Sequence, residues 1–268
     1  MKPSDLTTYL ATRSPVEREL QRLFSRRASP VIFDVGACEG EESIRYARLF
    51  PRARIFTFEP LPANQQLIRA NFERYGVSNA ELVPVALSDR IGEASFHVSS
   101  GRPPHEFSGA DWNYGNKSSS LLPPADPAPM YGWIEFKEAI VVRTDTLDRL
   151  CADRGIERID FMHLDVQGAE HLVLAGATSM LPRTASLWLE VSDRELYRGQ
   201  RLRGDIEDLL RRHGFSLAFE ERREIEGDQF YVNRRFFRSR RYLGFNQLRR
   251  AFAKCRQVGG KIKARLIR

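Results

Sequence analysis

The stretch Val31-Ile-Phe-Asp-Val-Gly-Ala-Cys-Glu-Gly40 decides the fold. A β-branched and aromatic run closes on two glycines, and Glu41-Glu-Ser-Ile-Arg-Tyr-Ala-Arg-Leu-Phe50 continues as a helix halted at Pro51. That is a strand, a tight turn and a helix. The unit recurs: RIFTFEP (54–60) reads as a strand, and LPANQQLIRANFERYG (61–76) as a helix closed by Gly76. ELVPVALSD (81–89) reads as a third strand and EASFHVS (93–99) as a hairpin-like one. Further along, AIVVRTDTLDRLCADRG (139–155) reads as strand then helix, IDFMHLDV (159–166) as a strand, and GAEHLVLAGATSML (168–181) as a helix. SLWLEVS (186–192) is a strand, RLRGDIEDLLRRHG (201–214) a helix, and FSLAFE with QFYVNRR a closing antiparallel pair. Strands alternating with helices predict an α/β fold with a mostly parallel sheet covered by helices on both faces.

The chain has 268 residues, 42% of them hydrophobic, enough to bury one large core. Residues 1–30 are expected to form an N-terminal helical cap, with Val16, Leu20, Leu23 and Phe24 at helical spacing. The body spans 31–237, interrupted at 99–137 by a segment rich in proline and glycine that reads as a lid or substrate loop. No apolar run approaches the roughly 20 residues that cross a bilayer. The N-terminus has charges where a signal peptide has its apolar segment, so a cytoplasmic protein is expected. Cys38, Cys151 and Cys255 are too far apart for a CxxC site and indicate no disulfide framework. The net charge of +7 belongs to the tail: after Asp228 there are thirteen basic residues and no acid.

The glycine turn reads as a ligand site, because in such folds ligands bind at the carboxyl ends of the strands. Its spacing, D-x-G-x-x-x-G, differs from the G-x-G-x-x-G of dinucleotide binders, and Cys38 narrows the room for a pyrophosphate. Asp34 repels a phosphate but suits an amino group or a sulfonium. Gly36 and Gly40 let a ligand approach the backbone. Glu59, roughly twenty residues on, stands where an acid hydrogen-bonds a ribose diol. These features favour an adenosyl ligand without a pyrophosphate, with S-adenosylmethionine as the candidate. A nicotinamide-dependent oxidoreductase is the rival, and a mere tight turn with Glu59 as a helix cap the simplest alternative.

FDVGACEGEES, FTFEPLPANQQLIRAN, VALSDRIGEASF, GNKSSSLL, VRTDTLDRL, FMHLDVQGAEHLVLAGA and LWLEVSDRELYRGQ, in this order, resemble the FkbM-type S-adenosylmethionine-dependent methyltransferases, from about residue 31 to about 219. The resemblance implies a Rossmann-like class I methyltransferase fold with a seven-stranded sheet and an antiparallel C-terminal pair. It also implies O-methylation of a hydroxyl, often on a sugar or secondary metabolite. Asp34, Gly36 and Gly40 match the family's cofactor turn, Glu59 its ribose acid, and Asp165, Gln167, Gly168 and Glu170 its second signature. Cys38 and His163 stand where the family commonly has Asn and Lys.

The expected cofactor residues are Asp34, Gly36, Ala37, Gly40, Ser43, Glu59, Pro60, Asn64, Leu87, Ser88 and Asp165. His163 and Asp165, two apart on a strand, leave the same face and are candidates for the transfer step, with Glu190 at the end of the next strand. An imidazole's reference pKa of about 6.5 suits a general base. Asp165 can orient it, bind the acceptor or act as the base itself. These three residue types also ligate metals, but no metal is expected. Trp112, Tyr114, Lys117, Ser118, Ser119 and Ser120 in the long loop, with Gln167 and Glu170, are the expected substrate residues; aromatic faces and hydroxyls suit a sugar. The tail places Leu243, Phe245, Leu248, Phe252 and Cys255 at near-helical spacing among basic residues, a pattern that reads as peripheral contact with an anionic membrane. Nucleic acid is the less favoured partner.

The sequence thus predicts an S-adenosylmethionine-dependent O-methyltransferase acting on a glycan or glycolipid hydroxyl. The alternatives are a secondary-metabolite methyltransferase, a nucleic-acid methyltransferase and a non-catalytic scaffold.

Overall fold

The computed structural model describes residues 5–103, 113–125 and 132–237; Trp112 and the tail 238–268 lie outside them. Two helices, α1 (Leu6–Ala11) and α2 (Glu17–Phe24), precede β1 (Val31–Val35), α3 (Glu41–Leu49), β2 (Arg54–Phe58), α4 (Pro62–Tyr75) and β3 (Ala80–Val83). Then follow β4 (Ala86–Leu87), β5 (Gly92–Ser100), a 3₁₀ helix (Tyr114–Ser118), β6 (Glu135–Asp145), α5 (Leu147–Asp153), β7 (Phe161–Leu164) and α6 (Glu170–Ala175). The described chain closes with β8 (Ser186–Ser192), α7 (Arg203–Arg212), β9 (Phe215–Arg222) and β10 (Glu226–Asn233).

Seven strands form one sheet in the order β3-β2-β1-β7-β8-β10-β9. All neighbours are parallel except β10, which runs antiparallel to both β8 and β9. The central strands β1, β7 and β8 are buried on both faces, which is why they read as continuous apolar runs. From β1 the sheet grows outward both ways, to β2 on one side and β7 on the other, which makes their carboxyl ends a topological switch point. In register, Asp34 of β1 lies between Thr57 of β2 and His163 of β7.

Each face has its own core. On one, Phe33, Phe56, Phe58 and Leu164 pack with Leu147 and Leu150 of α5, Val173 and Leu174 of α6, and Ile206 and Leu210 of α7. On the other, Ile32, Ile55 and Phe161 meet Tyr46 of α3 and the fully buried Val16, Leu20 and Phe24 of the N-terminal segment. Because side chains alternate along a strand, Asp34, Thr57 and His163 share this second face with Ile32, Ile55 and Phe161.

Two sequence expectations need correction. ELVPVALSD is not one strand: Pro84 has no N–H to continue the ladder, so β3 ends at Val83 in the large sheet and β4 belongs to a second sheet. The run AIVVRTD lies in β6, which pairs antiparallel with β5 and parallel with β4 in that three-stranded sheet. Its alternation of exposed and covered residues, with Val141 70% exposed, fits a strand with one solvated face.

Candidate active site

A cleft of about 900 Å³, including its open mouth, lies at the carboxyl ends of β1, β2 and β7. Its walls combine apolar groups (Phe58, Pro60, Val85, Leu87, Phe96) with Asp34, Glu41, Glu42, Glu59 and Asp165 and the cation Lys117.

The glycine turn is built by backbone geometry. Gly36 has φ +84°, and a Cβ there would fall 1.9 Å from the carbonyl oxygen of Asp165, so glycine is required for β1 and β7 to converge. Gly40 has φ +80° and caps α3; its Cβ would crowd Phe72 at 3.1 Å. Cys38 adopts φ +50°, uncommon for a residue with a side chain, and is held there by Glu59, whose Oε2 accepts its amide at 2.9 Å. Glu59 Oε1 takes the Leu61 amide at 2.8 Å. Burial pushes the Glu59 carboxyl up to about 8, against the pull of these two amides.

Asp34 is buried at the bottom of the cleft. Its Oδ2 accepts from Ser43 Oγ at 2.6 Å, and Ser43 in turn meets Thr57 Oγ1 at 2.6 Å. His163 Nδ1 lies 3.7 Å from Asp34 Oδ1 and 3.1 Å from the Tyr46 hydroxyl. Burial raises the Asp34 carboxyl to about 6, opposed by the facing imidazole and the Ser43 hydrogen bond.

Asp165 is exposed at the cleft mouth, one residue beyond β7. Gln167 Nε2 donates to its Oδ1 at 2.6 Å and to Glu190 Oε2 at 3.1 Å. The Glu190 carboxyl is raised well above the usual range, first by burial and then by the negative Asp165, while Arg223 reaches its Oε1 at 3.3 Å. Glu170 is buried at the start of α6, where its Oε1 accepts the amides of Val166 (3.2 Å) and Gly168 (3.3 Å); burial raises it to about 8.

The segment 113–125 lies against this end of the sheet. Lys117 Nζ donates to Glu41 Oε1 at 2.6 Å, Ser120 Oγ to the Gln167 carbonyl at 2.8 Å, and Ser119 Oγ takes the Ser99 amide at 2.9 Å. The hydroxyl of Tyr197, six per cent exposed, shares its one hydrogen between the Ser118 carbonyl (2.8 Å) and Gln167 Oε1 (3.1 Å). Among the described residues no helix is long and apolar enough to cross a membrane.

Of the residues singled out in the sequence, Asp34, Gly36, Ala37, Glu59, Pro60, Asn64, Leu87, His163, Asp165, Lys117, Ser119 and Gln167 line the cleft. Gly40, Ser43, Ser88, Tyr114, Ser118, Ser120, Glu170 and Glu190 stand outside its lining. Ser43, Ser120 and Glu170 support it from behind through the bonds above; Ser88 is tied through its amide to Asp145 (2.8 Å) at the β4–β6 junction. Trp112 and the basic tail lie outside the described residues. Sequence reasoning missed Tyr9, Glu41, Glu42 and Asn116 as lining residues. Glu41 and Glu42 sit in the first turn after the glycines and Asn116 inside GNKSSS, which are readable signals; Tyr9 offers none.

The family model described as the methyltransferase FkbM domain matches residues 34–217. The chain is 36% identical over 218 residues to the 2-O-methyltransferase NoeI of Sinorhizobium fredii, covering 81% of this chain and 85% of that protein. It is 28% identical to the 31-O-demethyl-FK506 methyltransferase FkbM of Streptomyces tacrolimicus, over 73% of this chain and 76% of that one. It is 31% identical to the AMB antimetabolite synthetase AmbE of Pseudomonas aeruginosa over 75% of this chain, a match that spans 10% of AmbE. On the strength of the family match and the likeness to NoeI, the chain belongs to the FkbM methyltransferase family.

Proposed function

We propose that the protein transfers a methyl group from S-adenosylmethionine to a sugar hydroxyl of a glycan or glycolipid. The observation that carries the donor is the carboxyl-rich lining of the cleft: five carboxyl-bearing residues face one lysine, and buried oxygens of Glu42 and Asn116 have no hydrogen-bond partner. Such a wall suits a ligand that brings positive charge and donors, and apolar groups such as Pro60, Leu87 and Phe96 suit its flat base. When bound, S-adenosylmethionine supplies an electrophilic methyl group on a sulfonium.

In this reading Asp34, Gly36, Ala37, Glu59, Pro60, Asn64 and Leu87 hold the cofactor. Asp165, exposed beside it, would orient the acceptor hydroxyl and take its proton as the new oxygen–carbon bond forms and the methyl's carbon–sulfur bond breaks, its electron pair staying on sulfur as the neutral thioether of S-adenosylhomocysteine. Gln167 keeps that carboxylate placed, Glu190 anchors the amide from the other side, and His163 lines the floor, fixed by Tyr46 and Asp34. Alignment of donor and acceptor is worth several kcal/mol in such displacements, and general-base help about 10²- to 10⁴-fold. The likeness to NoeI, named for 2-O-methylation, supports a hydroxyl acceptor. The likeness to the FK506 methyltransferase favours, as second reading, a hydroxyl of a secondary metabolite. Peripheral contact of the basic tail with anionic lipid belongs to the same proposal.

The test is incubation with isotope-labelled S-adenosylmethionine and a panel of glycans and glycolipids, read by mass spectrometry for added methyl groups. O-methylated sugar is expected, Asp34→Ala and Glu59→Ala weaken cofactor binding, and Asp165→Asn spares binding while cutting transfer. Normal affinity in both of the first two variants, or methyl groups found only on nitrogen, overturns the proposal.

A further inference from the structure

Most of the carboxyl groups lining the cleft are already engaged. Asp34 accepts from Ser43 and faces His163, Glu59 takes the amides of Cys38 and Leu61, and Glu41 takes Lys117. Asp165 takes Gln167. Glu42 differs. It is 8% exposed, its Oε1 accepts from the Tyr9 hydroxyl and from Arg45 Nε (3.2 Å), and its Oε2 is buried without a hydrogen bond. The neighbouring Tyr46 phenol, raised first by burial and then by the charge of Glu42 with a hydrogen bond to it, also meets His163 Nδ1 at 3.1 Å.

Asn116 presents a second such atom. Its Nδ2 is committed to Glu39 Oε1 (3.2 Å) and Asn64 Oδ1 (3.1 Å), both acceptors, which fixes the amide orientation and leaves Oδ1 buried and unpaired. A buried oxygen of this kind is costly unless a donor fills it. Two of them in one cleft call for a ligand group with several hydrogens and a positive charge.

Glu42 is held from outside the family-matched region. Tyr9 of α1 reaches both Glu42 and the cleft, and its ring lies under the Arg45 guanidinium, 4.8 Å from the centroid. Arg45 donates to the carbonyls of Tyr9 (3.2 Å) and Thr12 and to Glu17 (3.0 Å). The N-terminal helices therefore fix the carboxylate whose second oxygen is free.

We infer that Glu42, set by Tyr9 and assisted by Asn116, is the seat of the ammonium group at the amino-acid end of the cofactor, so that α1 is part of the cofactor site. The inference rests on the cofactor reading above and is separable from it. Equilibrium binding of S-adenosylhomocysteine, which carries the ammonium, is compared by calorimetry with that of 5′-methylthioadenosine, which lacks it. In Glu42→Gln the amide keeps one oxygen for Tyr9 and Arg45 and places an NH₂ where the free oxygen stood. It is expected to weaken S-adenosylhomocysteine at least about tenfold and to leave methylthioadenosine within about twofold. Tyr9→Phe, which frees Glu42 without removing its charge, is expected to lie between wild type and Glu42→Gln. Unchanged S-adenosylhomocysteine affinity in both variants, or equal loss of both ligands, overturns the inference. Failure of the wild-type protein to bind either ligand overturns the cofactor reading instead.

Discussion

The side-chain amide of Gln167 joins Asp165 to Glu190, donating at 2.6 Å to one carboxyl and at 3.1 Å to the other. Its carbonyl oxygen is taken by the Tyr197 hydroxyl, so every polar atom of this side chain is used, on a residue at φ +54°. Gln167→Glu removes the two donated hydrogens and sets a third carboxyl group against Asp165 and Glu190. Methyl transfer is expected to fall by at least about tenfold, with S-adenosylhomocysteine affinity within about twofold of wild type. Tyr197→Phe is expected to act through the same link, so the double variant is no slower than Gln167→Glu alone; additive losses in a double-mutant cycle would refute the shared link.

The raised carboxyls set a pH dependence. Glu59 and Glu170 at about 8, and Asp34 at about 6, bind protons more tightly folded than unfolded. Their contribution to stability is fully present below the ordinary carboxyl range and is lost as pH rises through about 6 and then about 8. Thermal unfolding of the ligand-free protein is expected to move to lower temperature as pH rises from about 5 to about 8. Glu170→Gln keeps an oxygen for the Val166 and Gly168 amides but has nothing to ionise, so it flattens that slope. An unaltered slope in this variant removes Glu170 from the account.

Gly36→Ala forces a Cβ toward the Asp165 carbonyl, 1.9 Å away if nothing moves, in a left-handed backbone. Strain of that kind costs about 1–3 kcal/mol before the overlap is relieved. The variant is expected to lose about 2 kcal/mol or more in urea unfolding and to lose cofactor binding, since relief parts β1 from β7. Wild-type stability would show that the two strand ends separate freely.

Asp160 is buried beneath β1, where it accepts a two-pronged bond from Arg27 (3.0 and 3.1 Å), the Val31 amide (3.0 Å) and an ion pair from Arg158 (3.0 Å). Asp160→Ala leaves these donors facing an empty site, and removal of one partner from a buried pair typically costs about 3–5 kcal/mol. A denaturation midpoint near that of wild type would show that water replaces the carboxylate there.

Much of the site was legible because local pattern carries it. The glycine turn at 36–40, the acid at Glu59 and the Asp165-Val-Gln-Gly-Ala-Glu170 block follow from strand–turn–helix periodicity, and all three meet at one end of the sheet. The role of Gly36 was not legible: it looks like room for a ligand, and the fold uses it for close approach to the Asp165 backbone. Pro84 was visible, yet only the paired strands show that it divides one apolar run between two sheets.

The sequence by itself determined most of the order of strands and helices, the carboxyl ends where the cleft opens, and three of the acids there, Asp34, Glu59 and Asp165, because these depend on neighbours a few residues apart. The tertiary structure alone decided which of those acids are engaged. Glu59 is tied to Cys38 across 21 residues, Asp34 faces His163 across adjacent strands, and Glu42 is held by Tyr9 across 33. Hydrogen-bond satisfaction is a property of atoms brought together by the packed sheet, and no local pattern encodes which oxygen is left free.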